Sequence, residues 1–188
     1  MRVTRTASER QEASARFYAE VWPHAATVLR AARFLMRDTL AAEDLAQETM
    51  INAFQSLESF RPGTDMKAWL MTILRNARID QLRSRASEPK KLSLDTLGAD
   101  TRPMDNAHEP DEEDVWHTPE DLLHRFSDAH LIRALRQLPE EIRWTLLLVD
   151  VEGMAHSDAA RILGVPVGTV QSRAFRGRKM LRDVLLPV

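Results

Sequence analysis

The chain has 188 residues, 44% hydrophobic and 29% charged, with a formal net charge of −2, a composition suited to one ordinary globular domain or two small ones. It contains no cysteine, which removes disulfide frameworks, thiolate metal sites and thiol nucleophiles. No window approaches the roughly 18 to 20 apolar residues of a bilayer span, and the opening MRVTRTASERQEASARF lacks the apolar core of a signal peptide; a cytoplasmic protein without membrane insertion is expected.

The charge is segregated. Residues 1–86 hold 13 basic and 10 acidic side chains, residues 87–127 hold 4 and 11, and residues 128–188 hold 9 and 7. Two mildly basic blocks therefore flank an acidic connector, and local charge says more about partners than the total does.

In the first block, Phe17, Val21, Val28, Ala32, Leu35 and Met36 recur at three and four, the stripe of an amphipathic helix, interrupted at Trp22-Pro23. Asp38-Thr39 offers a capping turn. The helix that follows places Leu45, Thr49, Ala53 and Leu57 on one side and Glu43, Asp44, Gln47 and Glu48 on the other. From charge alone that acidic face is a solvated surface. Ser59 to Asp65 contains Pro62-Gly63 and reads as a loop. Met66 to Arg85 then reads as one helix with Leu70, Ile73, Leu74 and Ala77 toward the core, and Trp69, Thr72, Asn76 and Arg83 on the other side near Arg75, Arg78 and Arg85. An aromatic ring beside Arg and Asn suits single-stranded nucleic acid, where bases stack and phosphates need cations. A plain core role for Trp69 fits the spacing equally.

Residues 87–127 have scattered Gly and Pro, no apolar periodicity and the run Glu109-Pro110-Asp111-Glu112-Glu113-Asp114, the composition of a flexible linker. Consecutive carboxylates without a scaffold stay solvated, and His108, His117, His124 and His130 have no ligand spacing; no metal and no cofactor is expected. Thr118-Pro119 leading into Leu122 and Leu123 suggests a short helix out of the linker.

In the last block, Leu131, Leu135 and Leu138 line a helix that Ser127 or Asp128 can cap. Pro139 is placed in the first turn of the next helix, Glu140 to Val151, which Gly153 ends; Trp144 is assigned to the core. From Arg161 to Arg182 there are six basic residues and no acidic one, with a break at Leu163-Gly164-Val165-Pro166. A short helix, a Gly-containing turn and an Arg-loaded second helix make a helix-turn-helix. Val170, Ala174, Gly177 and Leu181 form its buried stripe; Gly168, Thr169, Ser172, Arg176 and Lys179 face outward, flanked by Val167, Gln171, Arg173 and Arg178. Gln and Arg can read adenine and guanine in the major groove, while Thr169, Ser172, Arg178 and Lys179 suit phosphates.

AEDLAQE (42–48), AWL (68–70), LRNARID (74–80) and QLRSR (81–85), with LPEEIR (138–143), EGM (152–154), GVPVGTVQSR (164–173) and RGRKML (176–181), resemble the sigma factors of bacterial RNA polymerase. The resemblance is to the compact extracytoplasmic-function (ECF) group. It implies an all-α chain of two small helical domains, residues 1–86 (region 2) and 128–188 (region 4, a helix-turn-helix), joined by the flexible acidic linker. It implies docking of Glu43, Asp44, Gln47 and Glu48 on core RNA polymerase. It implies minus-ten promoter recognition and melting by Phe60, Arg61, Lys67, Trp69, Arg75, Asn76, Asp80 and Arg83. It implies minus-thirty-five recognition by Val167, Gly168, Thr169, Gln171, Ser172, Arg173, Arg176, Arg178 and Lys179. The partners implied are core polymerase, promoter DNA and an anti-sigma factor, in a stress or envelope response. Against the family pattern, Ala155 replaces a Ser or Thr cap, and Ala159 and Ala174 replace larger aliphatics; restoring those two is expected to raise stability. An operator-binding regulator of the LuxR type shares a similar Gly-turn-Thr-Val motif, but it leaves AEDLAQE and AWL unexplained. No nucleophile–base pair, metal triad or Gly-rich phosphate loop supports an enzyme.

Overall fold

A computed structural model of the protein describes residues 7–36, 38–61, 63–87 and 128–185. Every element among them is helical, as expected of an all-α chain. The linker expected over 87–127 and the short helix after Pro119 fall almost wholly on residues outside that description.

The first block begins with α1 (Ala7–Arg16) and a wide π-type turn over Phe17–Val21. A 3-10 turn at Trp22–His24 follows, where Pro23 has no amide to donate, and then α2 (Ala25–Leu35). The expected break at Trp22-Pro23 is therefore a change of helical pitch. Asp38 caps α3 (Thr39–Ser56), its carboxylate accepting the Ala41 amide at 2.9 Å. Gly63, at φ 87°, turns the chain into α4 (Met66–Ser87), where the Asp65 carboxylate accepts the Lys67 amide at 2.8 Å. Val28, Ala32 and Leu35 of α2, Leu45, Thr49 and Ala53 of α3, and Leu70, Leu74 and Ala77 of α4 are buried together. The three-and-four spacing read from the sequence is the packing that forms.

The second block contains α5 (Asp128–Gln137), α6 (Glu140–Leu146) with a π-type continuation over Leu147–Val151, α7 (His156–Leu163) and α8 (Val167–Leu185). Pro139 stands one residue earlier than expected, as the N-cap of α6, with its carbonyl accepting the Ile142 and Arg143 amides at 3.1 and 3.0 Å. Trp144 is buried, as assigned. Gly164 closes α7 in the left-handed conformation, φ 66° and ψ 36°, the geometry the turn of a helix-turn-helix requires. Val170, Ala174, Gly177 and Leu181 are the buried stripe of α8. Gly177 marks a close crossing: a Cβ there would meet the Ile142 Cγ2 at 2.6 Å. Ala155 caps α7 without a side-chain hydrogen bond. Ala159 and Ala174 are buried, at 0% and 1% exposed, so a larger side chain at either has to find its room inside the core.

The two blocks are not independent in space. One continuous cluster of buried residues includes Leu70, Met71 and Leu74 from the first block and Trp144, Leu147, Leu148, Ala159, Ile162 and Leu163 from the second. α4 packs on α7, and α2 packs on α6. That contact brings a long cationic helix against the acidic side of the helix-turn-helix block.

Candidate nucleic-acid interface

α8 keeps its outward face open. Val167, Gly168, Gln171, Ser172, Arg176 and Lys179 are exposed, and Thr169 and Arg173 are half-buried. The Ser172 hydroxyl donates to the Thr169 carbonyl at 3.1 Å within the first turn. Arg178 is different. Its guanidinium is clamped by Asp150, Nη2 to Oδ1 at 2.6 Å and Nε to Oδ2 at 3.3 Å. Of the cations assigned to phosphates, it ties α8 to the chain leading out of α6, and so fixes the tilt of the reading helix. Arg161 is paired with Asp158 on α7.

α4 presents a second cationic surface, and the second block covers part of it. Lys67, Met71, Arg75 and Arg78 lie on one face by helical spacing. The Lys67 ammonium donates to the Glu152 backbone carbonyl at 2.8 Å and sits 3.3 Å from its carboxylate. Arg75 donates to the Leu163 carbonyl at 2.8 Å, at the C-terminus of α7 where unpaired carbonyls carry partial negative charge. Arg78 forms a bidentate pair with Glu140, both bonds 2.9 Å. Met71 is fully buried between these cations. Sequence reasoning placed Arg75 and Arg78 beside an open face and missed Met71, Glu140 and Glu152 altogether. The signal available was the repeat 67-71-75-78, which a single apolar residue left too weak to read as a buried stripe.

The remaining residues assigned to the minus-ten surface lie elsewhere. Phe60 is buried and packs against half-buried Trp69, ring centroids 5.1 Å apart at 57°. Trp69 thus has a core contact and an exposed part at once. Arg61 and Asn76 are exposed, and Asp80 pairs with Arg83 at 3.4 Å. On α3, Asp44 and Gln47 are exposed, Glu43 meets Arg33 at 3.1 Å, and Glu48 accepts from Gln81 at 2.9 Å. The acidic face is consequently partly spent on its own bundle.

Two carboxylates of the second block stand out electrostatically. The Glu152 side chain is 3% exposed, its Oε2 faces Lys67, and its Oε1 lies 3.8 Å from Arg30 without a hydrogen-bond partner. Burial acts to raise the pKa of Glu140, but the hydrogen bonds and charge of Arg78, with the charge of Arg143, outweigh it and hold the carboxyl below its ordinary 4.5. Among the described residues there is no group of three His, Asp or Glu side chains placed to hold a metal ion, and no helix long and apolar enough to cross a membrane.

Residues 22–88 match the family described as Sigma-70 region 2, and residues 129–181 match Sigma-70, region 4. The chain is 36% identical to the ECF RNA polymerase sigma factor SigE of Mycolicibacterium smegmatis over 86% of its own length and 58% of that protein's. It therefore spans less than two thirds of that relative. It is 31% identical to the RNA polymerase sigma-H factor of Pseudomonas aeruginosa over 81% of this chain and 77% of that one. Among solved structures it resembles the sigma factor RpoE of Bartonella quintana, determined in complex with the anti-sigma factor NepR. The TM-score is 0.66 at 28% identity, covering 90% of this chain and 96% of that one.

Proposed function

This chain belongs to the sigma-70 family of RNA polymerase factors, in its ECF group, and on that footing we propose that it binds core RNA polymerase and directs it to a set of promoters. The observation that carries the reading is the bare outward face of α8 behind a left-handed Gly164 turn, with Gln171 and Arg176 exposed and its buried stripe fully packed. That geometry delivers polar side chains to base edges in a major groove. The matched region 2 supplies a second contact. Exposed Arg61 and Asn76 with half-buried Trp69 form a surface on which an unstacked minus-ten base can rest. Asp44 and Gln47, exposed on α3, are the parts of the acidic face free to meet a basic surface on polymerase.

The role is one of binding rather than catalysis: the chain supplies specificity and strand separation, and polymerase supplies the chemistry. An anti-sigma partner is part of the proposal, supported by the RpoE chain being held in such a complex. A LuxR-type operator regulator is not favoured, because residues 22–88 match Sigma-70 region 2. The test is reconstitution with core polymerase on a library of promoter fragments. Promoter-dependent transcripts that disappear with Gln171→Ala are expected. Transcription indistinguishable from core polymerase alone would refute the reading.

A further inference from the structure

α8 is held to its block by two different kinds of contact. Val170, Ala174 and Leu181 are buried along one stripe, and Gly177 lets that stripe close on Ile142 and Leu146. Apolar burial is non-directional, so the stripe holds the helix down without setting its rotation about its own axis. Arg178 adds a directional contact. It leaves the helix about 100° around from Gly177 and takes both oxygens of Asp150, at 2.6 and 3.3 Å. Asp150 is itself well seated. It follows Ile142 and Leu146 at the same spacing of four, and its side chain is 16% exposed. The π-type turn that carries it is closed by the Glu152 amide on the Leu147 carbonyl at 2.9 Å.

We propose that Arg178 and Asp150 are positioning residues for promoter selectivity: the pair sets the roll of α8, and so decides which base edges Gln171 and Arg176 meet. Gln171 stands seven residues before Arg178 and shares its side of the helix, whereas Arg176 lies on the opposite flank of the stripe. A roll therefore lifts one of these readers as it lowers the other. At a side-chain radius of about 6 Å, a roll of about 10° moves each by about 1 Å. That exceeds the roughly 0.5 Å within which a recognising constellation has to be held. A bidentate arginine suits the task, since a lysine ammonium is a point charge that leaves the roll unset. The guanidinium of Arg178 is thus spent on orientation, and contact with phosphates falls to exposed cations such as Lys179.

The inference rests on α8 being the minus-thirty-five reader, and the experiment separates the two ideas. The full chain, bound to core polymerase, selects from a promoter library randomised across the minus-thirty-five element. Affinity for the selected duplex over the starting pool gives selectivity, and the same duplex gives the salt slope. Arg178→Met should lower selectivity by about tenfold, the discrimination carried by one bidentate base contact. It should leave the salt slope unchanged, because this cation displaces no counterion from DNA. Arg178→Lys, which keeps the charge, should lose selectivity as well. Asp150→Arg combined with Arg178→Asp should restore it, which a phosphate contact at position 178 could not do. Circular dichroism checks that each variant is folded, and if Arg178→Met is not, Arg178→Lys and the charge swap carry the test. Selectivity that survives Arg178→Met or Arg178→Lys overturns the proposal, as does a folded charge swap that stays unselective. A fall of about one in the salt slope of Arg178→Met, with selectivity intact, returns Arg178 to the phosphates. A parent that selects no sequence overturns the reading of α8 itself, and the proposal with it.

Discussion

α4 and α8 are the two long cationic helices of this protein, 22 and 19 residues, and the fold treats them in opposite ways. α8 buries one stripe against α6 and α7 and leaves the other bare, with Arg178 alone among its assigned phosphate contacts drawn into a bidentate ion pair. α4 is buried on two sides. Leu70, Leu74 and Ala77 face its own bundle, while Met71 and Arg78 face the second block. A cationic face on a helix is thus available to a ligand only where the rest of the chain offers nothing to neutralise it. Among the described residues, Asp150 meets α8 at Arg178, whereas α4 faces two carboxylates and a helix C-terminus.

The contrast can be broken most strongly at the crossing that holds α8. Gly177→Ala places a methyl 2.6 Å from Ile142 Cγ2 and 3.0 Å from Leu146 Cδ1. In an ordinary helix the change stabilises; here we expect a net loss of about 1–3 kcal/mol in denaturant unfolding. Ala159→Ile and Ala174→Leu, each adding a branched side chain to the core, should raise stability by about 0.5–2 kcal/mol in the same measurement. A fall for both would show that the core has already closed around those alanines.

Next in size is the charge on the open helix. Arg176→Ala should weaken binding to a minus-thirty-five duplex by about tenfold and lower the salt slope by about one counterion. Lys67→Ala, whose ammonium is already held by Glu152, should leave duplex binding by the free chain unchanged. Equal losses would mean that the two helices are equally available. Ala155→Ser restores the missing cap of α7 and should add about 1 kcal/mol, read as a higher melting temperature.

The smallest effect is on pH. Glu140 has a depressed pKa in the folded chain because Arg78 and Arg143 face it. Its contribution to stability is therefore complete above about pH 4.5 and is lost as pH falls through the depressed value. Stability in denaturant unfolding should drop over that acid range, and Glu140→Gln should remove this part of the drop. A drop that persists unchanged in the variant would assign it to other carboxylates.

Much of this was legible in the residues. The stripe Val170-Ala174-Gly177-Leu181 follows from three-and-four spacing alone, because an apolar face on a lone helix has one place to go. Asp38 as a cap and Gly164 as a left-handed turn follow from backbone chemistry that acts within a few residues. The second burial of α4 was not legible, since Lys67, Arg75 and Arg78 read as solvent-facing and Met71 is a single apolar residue among them. Glu152, isolated in the EGM loop, offered no pattern at all.

The sequence by itself determined where the main helices form, the apolar stripe each one turns into its own block, and the cation-rich face that marks α8 as a reader. All of these depend on spacing and local capping, which a linear chain carries explicitly. The tertiary structure alone decided which charges are spent and which are free, because Arg78 and Glu140 are separated by 62 positions and Lys67 and Glu152 by 85. An ion pair across that distance depends on how two packed blocks are oriented, and no periodicity in the chain records it.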